Sequence, residues 1–189
     1  MPLFRTVEPA AEPVTLVEAK AHLRVSHNSE DELLGALIRA ARDEVETSTG
    51  LALIDQSWRL TLDRLPASAT ALLMRHPVKA VLSVSVFDAD GGASLVDPAD
   101  YALDNLSRPA RLHFQRLPAP TRSMNGIEID FTAGFGEAGT DVPDLLKRAI
   151  LVLVAHWYEF RGVYDAADQP ASYPQGYERM ISAYKARRF

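Results

Sequence analysis

The sequence predicts an α+β chain, a mainly helical framework of about four helices into which a small antiparallel β module is inserted. Proline spacing is the first observation: none lies between Pro13 and Pro66, six fall from Pro66 to Pro120, and Pro143 precedes a long apolar stretch. The second is a change of hydrophobic period, helical up to Gly50, two from residue 54 to residue 131, and helical again after Pro143. The predicted division is an extended N-terminal arm at 1–14, a helical core with a C-terminal tail from 15–53 and 134–189, and the β module at 54–133.

Thr15 and Glu18, three apart, form a capping-box pattern, and Leu16, Ala19 and Leu23 follow at helical spacing, so a short helix is expected over 15–25. Ser29 and Glu32 repeat the pattern. A second helix then places Leu34, Ile38, Ala41 and Val45 on one face, with Glu30, Arg39, Arg42, Asp43 and Glu46 on the other, and Gly50 stops it. In the β module Trp58, Leu60 and Leu62 alternate with polar neighbours, as do Leu82, Val84 and Val86. Asp88–Gly92 is turn chemistry, and Tyr101–Leu103, Leu112–Phe114 and Ile127–Phe131 are three further short strands. Pro143 opens DLLKRAILVLVAHWYEFRG, a helix of roughly 28 Å at 1.5 Å per residue, apolar on nearly all faces and so enclosed by its own fold or by neighbouring subunits. A loop at 163–175 leads to a last amphipathic helix outlined by Tyr177, Met180, Ile181 and Tyr184, ending in Lys185, Arg187, Arg188 and Phe189.

Composition narrows the function. The chain has 189 residues, 47% hydrophobic and 24% charged, which suits a globular fold with a sizeable core. Its net charge of -5 is the wrong sign for a protein that grips nucleic acid as its main task. With no cysteine, thiol nucleophiles, disulfides and Cys-ligated zinc are excluded. The first twenty residues show no apolar signal region, and the densest apolar run, 149–155, is far short of the ~20 residues of a membrane span. No membrane partner is expected, and the expected place of synthesis is the cytosol or an assembly built there.

The loop Gly134-Phe135-Gly136-Glu137-Ala138-Gly139 matches the dinucleotide fingerprint G-x-G-x-x-G between a strand and a helix. The companion features are missing: no second strand follows, and Glu137 and Asp141 would repel a pyrophosphate at that helix start. A plain connection is the expected reading, and a nucleotide-binding enzyme using the 134–139 loop is the alternative. His156 and Glu159 share a helical face without a third metal ligand, and Asp88 and Asp90 lack the spacing of a calcium loop. Neither cofactor nor metal is expected. Leu146, Ile150, Trp157 and Tyr158 on the apolar helix are candidates for a subunit interface. Tyr177, Met180, Ile181, Tyr184, Arg187, Arg188 and Phe189 form a candidate anchoring tail, with aromatics as anchors and arginines for acidic pockets.

Three stretches in order carry a resemblance. VTLVEAKAHLRVSHNSEDELLGALIRAARDEVETSTGLAL, DYALDNLSRPARLHF and FTAGFGEAGTDVPDLLKRAILVLVAHWYEFRG resemble the head-tail connector, or adaptor, proteins of long-tailed phages, prophages and gene transfer agents. The resemblance implies a non-enzymatic virion protein that assembles in the bacterial cytoplasm and forms a ring, of 12 copies to match the portal, under the portal vertex. It implies three partners: the portal protein, further copies of the chain, and a downstream head-closure or tail connector protein. DNA would pass through the channel without specific binding, and the tail residues from Tyr177 to Phe189 named above would reach the portal.

Overall fold

In the computed structural model, residues 2–160 and 173–185 are described. The expected loop at 163–175 falls largely outside them, as do Arg187, Arg188 and Phe189. The chain forms two compact units, one from Met1–Ala10 and Asp55–Phe135, the other from Ala11–Ile54 and Gly136–Phe189. Among the described residues there are four helices and two antiparallel sheets, an α+β fold.

The helical unit begins with α1 (Leu16–Leu23), where the Thr15 hydroxyl accepts from the Glu18 amide at 3.1 Å and Glu18 accepts from the Thr15 amide at 2.7 Å. This reciprocal cap satisfies two donors that the first turn leaves open. The second expected capping box does not form. Helix α2 (Asp31–Thr49) starts after Glu30, with no side-chain cap, and the Ser29 hydroxyl lies instead 2.9 Å from His27 Nδ1. Lys20 ties the two helices by reaching Asn28 and Asp31 at 2.6 and 2.7 Å. Gly50, at φ 74°, ends α2 in the left-handed region that glycine enters freely.

Leu34, Ile38, Ala41 and Val45 are buried, but two residues assigned to the polar face are buried with them: Arg42 and Glu46 are 3% and 2% exposed. The reason is a local charge network. Arg42 donates to Glu12 at 2.8 Å, Asp43 at 2.9 Å and Glu46 at 3.3 Å, and Glu46 also accepts the Leu53 amide at 2.7 Å. Burial alone would make the Arg42 cation less favourable, yet the carboxylates around it outweigh that and raise its pKa. Helix α3 (Asp144–Phe160) buries Leu146, Ala149, Ile150, Leu153, Val154 and Tyr158, and α4 (Tyr177–Ser182) buries Tyr177 and Ile181.

The β unit is larger than the sequence suggests. Its five-stranded sheet has the order β1 (Leu3–Val7), β2 (Gln56–Leu62), β8 (Ile127–Ala133), β4 (Val78–Phe87) and β5 (Ala93–Leu95). A three-stranded sheet has the order β3 (Thr70–Leu73), β7 (Ala110–Phe114) and β6 (Tyr101–Asp104). Part of the expected arm is thus the edge strand β1, with Arg5 opposite Trp58. Trp58 is buried, and the guanidinium groups of Arg5 and Arg75 lie 5.3 and 4.4 Å from its ring centre.

Strand β8 sits centrally and alternates as the sequence predicts, with Ile127, Ile129, Phe131 and Ala133 buried. Its Ile129 faces Leu60 on one side and Val84 on the other. The intervening face carries Arg59, which clasps Asp130 through two bonds of 2.7 and 2.8 Å and pairs with Glu128 at 2.8 Å. Leu82 departs from the expected alternation and is 57% exposed. The register of β4 shifts between Val81 and Ser83, so Leu82 is the extra residue of a bulge and its side chain leaves the buried row. At the β4–β5 turn Asp88 accepts the amides of Asp90 and Gly92, which consumes the carboxylate in backbone capping.

Candidate functional site

Three places were singled out by sequence: the 134–139 glycine loop, the apolar helix and the C-terminal helix with its tail. At the loop, the glycines have local packing reasons. A Cβ on Gly134, whose φ is 156°, would stand 2.5 Å from the Asp55 backbone nitrogen. A Cβ on Gly136 would run into the Asp141 side chain, and one on Gly139 would come within 2.6 Å of the Pro13 carbonyl oxygen. The Asp141 carboxylate caps the turn itself, accepting the Ala138 amide at 3.1 Å. A carboxylate therefore occupies the amide that a phosphate would need, and the like charge opposes a phosphate there. Close approach of the chain to itself accounts for G-x-G-x-x-G, and this geometry does not favour the nucleotide-binding alternative.

His156 packs edge-on against Phe160 with ring centres 4.7 Å apart, and no group of three metal-ligating side chains occurs among the described residues. No described helix is long and apolar enough to cross a membrane.

On α3 the four candidate interface residues separate. Leu146 and Ile150 are fully buried inside the helical unit, and Tyr158 is 8% exposed. Tyr158 also donates to Glu30 at 2.5 Å, which fixes its ring toward the start of α2. These three serve the subunit's own core, because α3 buries one face against α2 and α1. Trp157 and Val152 are half-buried on different sides of α3, and Leu145 is exposed.

The C-terminal candidates separate in the same way. Tyr177 and Ile181 are wholly buried, and burial pushes the Tyr177 hydroxyl pKa far up. Tyr173 stacks on Tyr177 at 5.0 Å and donates to Glu44 at 2.7 Å, so the segment before α4 is fastened to α2. Met180 and Tyr184 are half-buried, and Lys185 pairs with Glu178 at 2.6 Å. The amphipathic pattern located the helix; its buried side faces this subunit. The large exposed apolar residues of the β unit, among them Leu72, Met74, Leu95 and Leu117, were not singled out by sequence. Alternation in TALLM was the available signal, since it places Leu72 and Met74 on the side opposite Ala71 and Leu73.

Exposed apolar side chains remain on both units among the described residues. Residues 13–86 match the family model of the phage gp6-like head-tail connector protein. The whole chain superposes on a chain of the neck of an empty gene transfer agent particle, solved with C6 symmetry, at a TM-score of 0.84 and 28% identity, covering 100% of this chain and 97% of that one. The family match covers less than half of the chain, whereas the likeness to the neck chain runs over the whole of it. Two further solved structures give this chain the same coverage and identity: a chain of the native gene transfer agent virion at a TM-score of 0.82, and one of the native neck with C12 symmetry at 0.81. Comparison with curated protein sequences returns no match.

Proposed function

We propose that this chain is a head-tail connector, a structural adaptor subunit of a virion neck, repeated as a ring between a DNA-filled head and its tail. The observation that carries the reading is the full-length correspondence with neck chains, which includes both units and leaves 97% of the matched chain accounted for. The family match over 13–86 supports it independently through α1, α2 and the first part of the β unit. A ring of identical subunits needs two different faces on each copy, and the exposed apolar residues of the two units supply material for them. Twelve copies would agree with the C12 neck of the related particle.

In this reading the portal contacts involve the half-buried Met180 and Tyr184, together with Arg187, Arg188 and Phe189. Trp157 would face a neighbouring copy. A head-closure or tail connector protein would bind the ring's other side, and DNA would pass without specific contacts. The test is co-sedimentation of the purified connector with portal rings from the same source, with negative-stain imaging of the pellet. Subunits added as a ring at the portal's narrow end are expected, and deletion of residues 186–189 should release them without loss of fold. A longer deletion through α4 would remove Tyr177 and Ile181 from the core and is unsuitable. A protein that neither binds portal nor assembles would overturn the reading.

A further inference from the structure

Strand β3 is an edge of the three-stranded sheet, paired with β7 on one side only. Natural edge strands are commonly blunted by charge or proline, but residues 70–74, TALLM, carry neither. Alternation buries Ala71 and Leu73 and turns Leu72 and Met74 outward, 42% and 54% exposed. The same strand lines a groove of about 450 Å³ together with Leu62 and Pro66. A second hollow of about 300 Å³ shares Asp63 and Arg64 with it and is walled by Leu117 and Pro118.

Charge around these hollows has one sign to spare. Arg64 lines both hollows and Arg122 the second. Neither arginine forms an ion pair among the described residues; Arg122 lies over the Phe87 ring at 5.6 Å. Asp63 already accepts the Asn125 amide at 2.8 Å. An apolar floor, an unpaired strand edge and two guanidinium groups without an ion pair among the described residues, set against the single carboxylate of Asp63, therefore meet on one surface.

We propose that this surface docks an extended segment of a partner protein in which apolar side chains alternate with carboxylates. The segment adds as a strand to β3, its apolar residues at i and i+2 enter the groove, and its carboxylates meet Arg64 and Arg122. DNA fits less well, because phosphates call for a dense row of cations and the floor here is apolar.

The test uses the full chain and two labelled seven-residue peptides, one alternating Glu or Asp with Val or Leu, the other with lysine in place of the acids. A single-stranded oligonucleotide is the third probe. Anisotropy should show the acidic peptide binding with a Kd at or below about 100 μM, a range typical of a single short segment. Hydrogen exchange should slow at 70–74 and stay unchanged at the opposite edge, Tyr101–Asp104. Arg64→Glu and Met74→Asp, both at exposed positions, should each weaken binding at least tenfold with an unchanged melting temperature. Absence of binding, equal binding of the lysine peptide, or protection of 70–74 by the oligonucleotide in preference to the peptide would each overturn the proposal. Ring assembly is measured separately by light scattering, so failure of the adaptor reading and failure of this one are distinguishable.

Discussion

Replacing Glu46 by alanine tests whether the buried charge network holds α2 to its surroundings. Glu46 and the Arg42 side chain are 2% and 4% exposed, so neither is rescued by water when the other is removed. Glu46→Ala takes away the acceptor of the Leu53 amide, and leaving such a buried donor unpaired costs about 1–3 kcal/mol. It also removes one of three carboxylates around Arg42; breaking a buried pair from one side costs about 3–5 kcal/mol. Because Glu12 and Asp43 remain at 2.8 and 2.9 Å, the lower ends apply, and a total of about 4 kcal/mol is expected. For a chain of this size that is a fall of roughly 8–16 °C in Tm. Glu46→Gln keeps an acceptor for Leu53 and loses only charge, so it should cost about half as much. Urea titration followed by hydrogen exchange of α2 amides reads both variants, and a cycle with Arg42→Met isolates the pair. A loss below about 1 kcal/mol for Glu46→Ala, or equal losses for the two variants, would refute the reasoning.

Three further outcomes are expected. Thr15→Ala removes the α1 cap and should cost about 1 kcal/mol by chemical denaturation, with the loss confined to the helical unit. Burial of His76, reinforced by Arg108, lowers its pKa, so the unfolded chain binds the proton more readily than the folded one. The stability this neutral ring contributes is complete above its unfolded pKa of about 6.5 and is lost as pH falls through the lower folded value, so His76→Gln should flatten the slope of stability against pH in that window. Gly134→Ala puts a Cβ against the Asp55 backbone at a φ that side chains rarely adopt, and should destabilise by more than about 1 kcal/mol, while NAD, FAD or ATP leaves the melting temperature of the unaltered chain unchanged.

Local periodicity made α1, α2, α3, β2 and β8 readable, because each satisfies its pattern with residues close in sequence. What was not readable depends on partners far along the chain. LFRTV lies in a proline-flanked arm, and only its register with β2 more than fifty residues later makes it a strand. Arg42 and Glu46 have the spacing of a solvated helix face, and Glu12, thirty positions upstream, is what draws them inside. Leu82 has the right phase for burial until the bulge shifts it. On α3 and α4 the apolar stripe is visible in the sequence, but a stripe does not say whether it meets its own subunit or another. Structure assigns Leu146, Ile150, Tyr177 and Ile181 to the subunit itself.

The chain leaves and re-enters the β unit: residues 1–10 belong to it, 11–54 do not, and 55–135 do. During synthesis, the β unit has all its strands once Phe135 has cleared the ribosome. The helical unit has only α1 and α2 at that moment, and their apolar sides must wait for α3 to arrive. The helical unit is thus completed later along the chain than the β unit, and until α3 follows, the apolar sides of α1 and α2 lack the helix that covers them. A surface that depends on α3 or α4 is therefore completed only after the β unit has all its strands.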